Sequence, residues 1–430
     1  MKYSPRIFGR RYKKTPRQLS YKRRHLGLSS NEQVRAREMK RFMFLMMAIL
    51  SFDSTLKDVD RELCEEALKF TFVHYLDTVT YDDEPTDSTP DRKRTISSFT
   101  PCECKIFFQF RRDDLVFLCR ELRFPDIVKL NNGIKMPGEE VMLRGLYELV
   151  SGENQHKIAL HIFGRDGSVQ SRAFLFFIEH IMDNFSHLMT DNLSWWFRNG
   201  FIRESAEAIK RKVDLATDND EEVAMFIDCN CLETARCGGG PAEQGANAAR
   251  WNPDIQRSMY NGWKSITGLK HQTIDIAHGF CIDLYGPTSV RRNDLTLYRL
   301  SDINGRVAAA NGAAAKYIVF GDSAYKRFSH TRTYYPTGDG IDNHRRWNSK
   351  MKSVRISIEW NYANTAALFK YVCNKRKLQL LQSDCVTKVY KVATFLRNLH
   401  IGMYGCQSSN YFNLPIRETF VEHYLRQTDF

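Results

Sequence analysis

Two acidic residues close two short apolar runs, Val223-Ala224-Met225-Phe226-Ile227-Asp228 and Tyr317-Ile318-Val319-Phe320-Gly321-Asp322, and a third, Glu359, follows on a helix-patterned stretch. Short β-branched and aromatic runs predict buried strands. An acid just beyond such a run stands at the carboxyl end of its strand, where α/β sheets place their sites. Carboxylates gathered within a few ångström repel one another unless a cation shares them. Hard oxygens suit Mg²⁺ or Mn²⁺, and two ions roughly 4 Å apart can activate a water or hydroxyl on one side of a phosphodiester while neutralising the leaving oxygen on the other. The chemistry expected of such a site is cutting or joining nucleic acid.

The elements that must position these acids are legible as alternations. Leu269 to Ile276 and Phe280 to Tyr285 read as strands joined by the short connection Ala277-His278-Gly279, a hairpin. With the strand ending at Asp228 they make three antiparallel strands; a helix from about Asn293, the strand into Asp322 and a helix around Glu359 complete the order. In Ser353-Val354-Arg355-Ile356-Ser357-Ile358-Glu359-Trp360, Val354 and Ile358 share one helix face while Arg355 and Glu359 share another. An ordinary surface ion pair is the plain alternative, but Arg preceding Glu is the weaker orientation for it. Glu359 is therefore expected as the third ligand, with Arg355 a phosphate or carboxylate partner and Asn348 and Asn364 polar supports.

Asp275, Asp283 and Asp294 are rival acids, and Asp294 can equally cap the helix it opens. Lys264, Lys270, Arg291 and Arg292 are candidate phosphate-backbone contacts, against a reading as solvated surface. Trp263 and Tyr325 are expected as core or wall.

Net charge of +13 on 430 residues, with a pI near 9.2, exceeds what solubility needs and points to an anionic partner such as a phosphate backbone. The content of 43% hydrophobic and 26% charged residues is that of a chain with proper cores. The longest apolar run, Phe42 to Leu50, falls far short of the about 20 residues that span a bilayer, so no membrane is expected. No cleavable signal is apparent. Eleven scattered cysteines without one argue for reduced thiols in a cytosolic or nuclear compartment. The pairs Cys102/Cys104 and Cys229/Cys231 lack zinc-knuckle spacing, and the latter two are read as packing residues.

Along the chain, residues 1–41 read as a basic flexible arm and 42–90 as a helical segment ending in an acidic, proline-containing linker. Residues 91–215 form a helical region in which Ile106-Phe107-Phe108-Gln109-Phe110 suggests a short strand or buried turn, and residues 216–380 the catalytic domain, followed by a helical extension at 381–430. Within the helical region, Glu139 to Val150, Gln155 to Ile162 and Ser168 to Ile181 are amphipathic. The turn at Gly164, with Ser168 as N-cap, resembles the joint of a helix-turn-helix over about 139–183. Ser168, Gln170, Ser171 and Arg172 then lie on early turns of a recognition helix, where base edges are read. Any three-helix bundle shares that periodicity. The loop Cys237-Gly238-Gly239-Gly240-Pro241 lacks the Gly-Lys-Ser/Thr of a nucleotide-binding loop and reads as a flap.

The segments Tyr260-Asn261-Gly262-Trp263-Lys264, Gly268-Leu269-Lys270-His271-Gln272, Leu284-Tyr285-Gly286-Pro287, Arg291-Arg292-Asn293-Asp294 and Gly321-Asp322-Ser323-Ala324-Tyr325, in this order, resemble the catalytic domain of PIF/Harbinger-type transposases, which are DDE superfamily endonucleases. The resemblance runs roughly from Glu221 to Lys377, with a weaker pattern back to about Thr100. It implies an α/β, RNase-H-like (retroviral-integrase-type) catalytic domain behind a mainly helical DNA-binding region, and a DDE triad carried onto Asp228, Asp322 and Glu359. It also implies two Mg²⁺ or Mn²⁺ ions and cleavage and transfer of double-stranded DNA at transposon ends into a target. A homodimer or larger synaptic complex, a nuclear location and a Myb-like accessory protein go with that family. Ile227-Asp228-Cys229-Asn230 replaces a Gly-Thr-type continuation, and Ser289-Val290-Arg291-Arg292 a Gly-containing turn, so the site's edge departs from the pattern. A domesticated nuclease and a non-catalytic, sequence-specific DNA-binding protein are the alternatives.

Overall fold

A computed structural model describes residues 95–164, 166–214, 221–236, 253–312, 316–336, 341–380 and 385–430. The expected basic arm, the segment and linker up to residue 90, and the Gly-rich flap lie outside the described residues. Those described belong to one compact unit from Asp91 to Phe430.

The unit opens with α1 (Pro101–Phe108), α2 (Arg112–Glu121), a ribbon of β1 (Ile127–Lys129) and β2 (Lys135–Pro137), then α3 (Gly138–Ser151), α4 (Gly167–Phe185), α5 (Leu193–Arg198) and α6 (Phe201–Val213). The aromatics around Phe107 were expected in a strand or turn, and the structure corrects this to helix. Thr100 caps α1 in a reciprocal box with Glu103, and Pro101 sits at its first position, a start signal that overrides the β-propensity of two phenylalanines. Phe108 buries edge-on against Phe99 at 5.0 Å.

The sheet is built from β3 (Glu222–Glu233), β5 (Ile266–Ile276), β6 (Cys281–Ser289), β7 (Tyr317–Phe320) and β8 (Thr331–Arg332), with β4 (Tyr260–Asn261) pairing only the start of β5. Helix α7 (Pro253–Ser258) precedes β4, while α8 (Asp294–Leu300) and α9 (Ile303–Asn311) separate β6 from β7. Strand β5 pairs antiparallel with both β3 and β6, whereas β7 runs parallel to β3 and β8 parallel to β7. In the order β6-β5-β3-β7-β8, β5 alone is reversed. The long α10 (Asp342–Leu368) then crosses the sheet, followed by α11 (Val386–Tyr404), α12 (Gln407–Phe412) and α13 (Phe420–Arg426).

Residues Val223 to Ile227 are all buried because the sheet is covered on both faces. Phe226, Ile318 and Phe320 pack with Ile209 of α6 and Trp347, Val354 and Ile358 of α10. Ile227, Ile274 and Val319 face a larger core to which the early helices and α11 contribute Phe174, Trp196 and Phe395 alike. Among the described residues, no helix is long and apolar enough to cross a membrane.

Helices α3 and α4 are joined by a short helix, Gln155–Ile158, and a π-turn, Ala159–Phe163. The N-cap of α4 is Asp166, whose carboxylate accepts the Ser168 N–H at 2.6 Å, so Ser168 is not the cap expected. Arg144, fully buried, donates to Glu140 Oε1 at 2.7 Å and to Gln170 Oε1 at 3.1 Å, while Gln170 Nε2 donates to Glu148 Oε2 at 3.0 Å. A buried charge pair has to saturate its hydrogen bonds, and Gln170 is the residue that does it. It therefore faces the helix pair, correcting its expected place at base edges; Ser168, Ser171 and Arg172 are exposed.

Candidate active site

Phe226 of β3 pairs with Phe320 of β7. Asp322 follows the end of β7 by two residues, while Asp228, two past Phe226, lies inside β3, which runs on to Glu233 instead of ending at the acid as expected; neighbouring strands lie about 4.8 Å apart. The Asp322 charge acts directly on Asp228. Gly321 lets the chain turn here, since a Cβ would stand 2.7 Å from the Tyr325 ring and 3.0 Å from Ile227 Cγ2. The Asp322 carboxylate accepts the Ala324 N–H at 2.9 Å, which holds the turn.

Helix α10 supplies the third acid. With Val354 and Ile358 anchored in the core, Arg355 and Glu359 emerge one turn apart, Arg355 beside Asp228 in the interior of β3. Arg355 Nη1 bonds Asp228 Oδ2 at 3.0 Å, Nη2 bonds Glu359 Oε1 at 2.9 Å, and Nε donates to the Tyr334 hydroxyl at 3.3 Å. One guanidinium thus holds both carboxylates, as its expected role as a carboxylate partner requires. Burial pushes the Asp228 carboxyl up to about 6, with Asp322 adding to the rise and Cys229 N–H (2.7 Å) and Arg355 opposing it.

Among the described residues, no three His, Cys, Asp or Glu side chains are gathered as a metal-holding group. What is gathered is an acidic pair, its neighbour Asp322, and a resident cation between them. Hard carboxylate oxygens on a partly open rim suit a divalent ion, and the guanidinium shows that Asp228 and Glu359 already share positive charge. Arg355 and a metal then compete for the same oxygens. Accordingly, Arg355→Gln is expected to tighten Mn²⁺ binding about 3- to 30-fold, read by calorimetry or Mn²⁺ electron spin resonance without DNA. Unchanged or weaker binding means that Arg355 orients the acids rather than standing in for the ion.

The rival acids are each neutralised elsewhere. Asp275 is buried against Arg397 at 3.3 Å and Asn361 at 2.8 Å. Asp283 takes both guanidinium nitrogens of Arg306, at 2.5 and 3.2 Å. Asp294 accepts from Lys270 Nζ at 2.7 Å and lies beside Cys229, whose side chain leaves β3 on the face opposite Asp228.

The same bond corrects Lys270 as a phosphate contact. Its side chain is only 6% exposed, and its Nζ is spent on Asp294 and the Arg292 carbonyl. Arg291 and Arg292 are exposed on the turn after β6, and Lys264 on the β4–β5 turn. Tyr325 is core, as expected, whereas Trp263 is 96% exposed. Asn348 of α10 accepts the Tyr335 N–H at 2.8 Å and donates to its carbonyl at 2.9 Å, one residue from the Tyr334 that Arg355 touches; Asn364 is half-buried on the same helix. Tyr334, and Tyr362 bonded at 2.8 Å to Thr273 opposite Asp228, belong to the surroundings of the acids but were not singled out. The only sequence signal for Tyr334 is an aromatic pair before Pro336.

Residues 246–398 match the family model described as DDE superfamily endonuclease. Neither a curated protein nor a solved structure matches the chain. The matched segment contains Asp322 and Glu359 and begins downstream of Asp228, which the sheet register brings beside the strand leading to Asp322 and which Arg355 joins to Glu359. Over these residues the chain is similar to the DDE superfamily endonucleases, and the match supports that superfamily.

Proposed function

We infer that the protein is a metal-dependent DNA endonuclease of transposase type, with an RNase-H-like catalytic core. The observation that carries this reading is that adjacent parallel strands bring Asp228 and Asp322 to the same level of the sheet, with Glu359 joined to Asp228 by a shared guanidinium. A sheet in which the second of the five strands in chain order alone is reversed supports the RNase-H-like assignment.

Asp228, Asp322 and Glu359 are the residues to hold two Mg²⁺ or Mn²⁺ ions, which when bound supply the neutralisation of charge on both oxygens of an in-line phosphodiester displacement. Lys264, Arg291 and Arg292 position the DNA backbone from the neighbouring turns. Arg355, released from its carboxylates, can take a phosphate with two parallel N–H bonds. No side chain has to act as nucleophile; water cuts, and a 3′-hydroxyl carries out strand transfer. Ser168, Ser171 and Arg172 at the start of α4 are the remaining candidates for DNA contact by the helical region. The motif string favours the PIF/Harbinger type, whose transfer of two DNA ends calls for a dimer or larger assembly, a nuclear location and a Myb-like helper.

A second reading, a DNA-binding protein that no longer cuts, is favoured by one observation: Arg355 already fills the acidic pair. The two part on Asp322→Ala, assayed on duplex DNA flanking the gene. Mg²⁺-dependent cleavage is expected to fall by at least about 10³-fold, with DNA affinity within threefold of the parent as an order-of-magnitude bound. Cleavage that survives the substitution removes this site from the chemistry. A parent protein that binds DNA and never cuts with Mg²⁺ or Mn²⁺ establishes the second reading.

A further inference from the structure

The β4–β5 hairpin carries Gly262-Trp263-Lys264-Ser265 at its tip, beside the far end of β3. Trp263 is 96% exposed. An indole offers more apolar surface to burial than almost any other side chain, so a polar residue at a hairpin tip would serve the fold as well or better. The loop is also held in place. The Asn261 side chain donates to the Val290 carbonyl at 2.8 Å and accepts the Lys264 N–H at 3.0 Å, while Ser265 closes the turn with φ +54°. Lys264 Nζ reaches the Cys231 sulfur at 3.4 Å. The chain thus fixes the backbone of a loop whose one large apolar ring is left in water.

The surroundings select a partner. Lys264 adjoins the ring in sequence, and exposed Arg291 and Arg292 follow Val290, the residue to which Asn261 ties the loop. An aromatic face beside a cationic track is the arrangement that holds unpaired bases, because every base has a π-face and every nucleotide a phosphate. A protein-binding hot spot prefers a ring set in an apolar patch; Gly262, Lys264 and Ser265 provide none.

We propose that Trp263 stacks on an unpaired base of the DNA strand held at the Asp228–Asp322 site. This rests on the nuclease reading above. Cys231, which Lys264 touches, lies three residues past Asp228 on β3, its side chain on the sheet face opposite the Asp228 carboxylate. Local unpairing at the ring lets the strand turn around the carboxyl end of β3 toward the acids.

The test uses the full chain in EDTA, so that no cutting occurs, with a mixed-sequence single-stranded 20-mer and the matching duplex as about 20-nucleotide probes in the size range of such sites. Trp263→Ala is expected to weaken single-strand binding about 5- to 100-fold, Trp263→Phe to restore most of it, and duplex binding to change less than about twofold. The thermal midpoint is expected to stay put, since the ring packs on almost nothing. Single-strand affinity unchanged in Trp263→Ala overturns the proposal while leaving the nuclease reading intact. So does loss of a dimer by sedimentation with unchanged DNA binding, which marks the ring as a protein contact. A parent protein that binds neither probe takes the nuclease reading down as well.

Discussion

Asp228→Asn lowers metal-dependent strand cleavage by at least about 10³-fold near neutral pH, and the protein stays folded. The size of the loss follows from the role: an amide cannot balance the charge of the ion it would share, and a factor of 10³ corresponds to about 4 kcal/mol of transition-state stabilisation. The fold survives because Arg355 keeps Glu359 at 2.9 Å, and a rim ion pair is worth only about 0–1 kcal/mol. The pH dependence has a definite sign. Burial holds the Asp228 carboxyl at about 6, above the 3.8 of an unfolded aspartate, so in the metal-free protein a proton occupies it below that pH. Mn²⁺ affinity should fall as pH drops through about 6. The same shift makes this residue's contribution to stability greatest at acid pH and lost as pH rises through about 6, so the Asn variant gains on its parent toward neutrality. Cleavage within about tenfold of the parent would show that Asp228 does not hold the ion.

The second large effect is on stability. Arg397→Met is expected to cost about 3–5 kcal/mol by urea unfolding. Arg397 and Asp275 have side-chain exposures of 0% and 1% and meet at 3.3 Å; Arg397 also donates to the Asn361 carbonyl at 3.0 Å and to Thr365 Oγ1 at 3.1 Å. One guanidinium on α11 thereby ties β5 to the last turns of α10, beyond Glu359. Removing it strands a carboxylate that burial already pushes upward, and the variant should recover part of its stability as acid protonates Asp275. Adding Asp275→Leu should restore most of the loss, because two apolar groups leave no charge unpaired. A loss under about 1 kcal/mol in the single variant means that the pair contributes little net stability.

Local rules made much of this molecule readable from its residues. The strand before Asp322, the strand carrying Asp228, the hairpin turn at Ala277-His278-Gly279 and the helix bearing Arg355 and Glu359 follow from side-chain period and turn chemistry, whereas the run of β3 past Asp228 to Glu233 comes from its pairing with β5. Those features depend on neighbours within about four positions. Where local signals competed, as at Phe107, the capping residues a few positions upstream decided between helix and strand.

The fate of each charged or aromatic side chain was not decided locally. Asp275, Asp283 and Asp228 all sit on strands of the sheet, yet Arg397 reaches the first from 122 positions away and Arg306 the second from 23. Lys270 and Gln170 resemble surface groups and are buried by partners on other elements, while Trp263 resembles core and stands in solvent. Period and propensity told which residues could lie on a strand end or a helix face. Which of them were sealed in a buried pair and which stayed on a partly open rim was settled by packing alone, because a charge or a ring is silenced by whatever the folded chain brings within a few ångström of it.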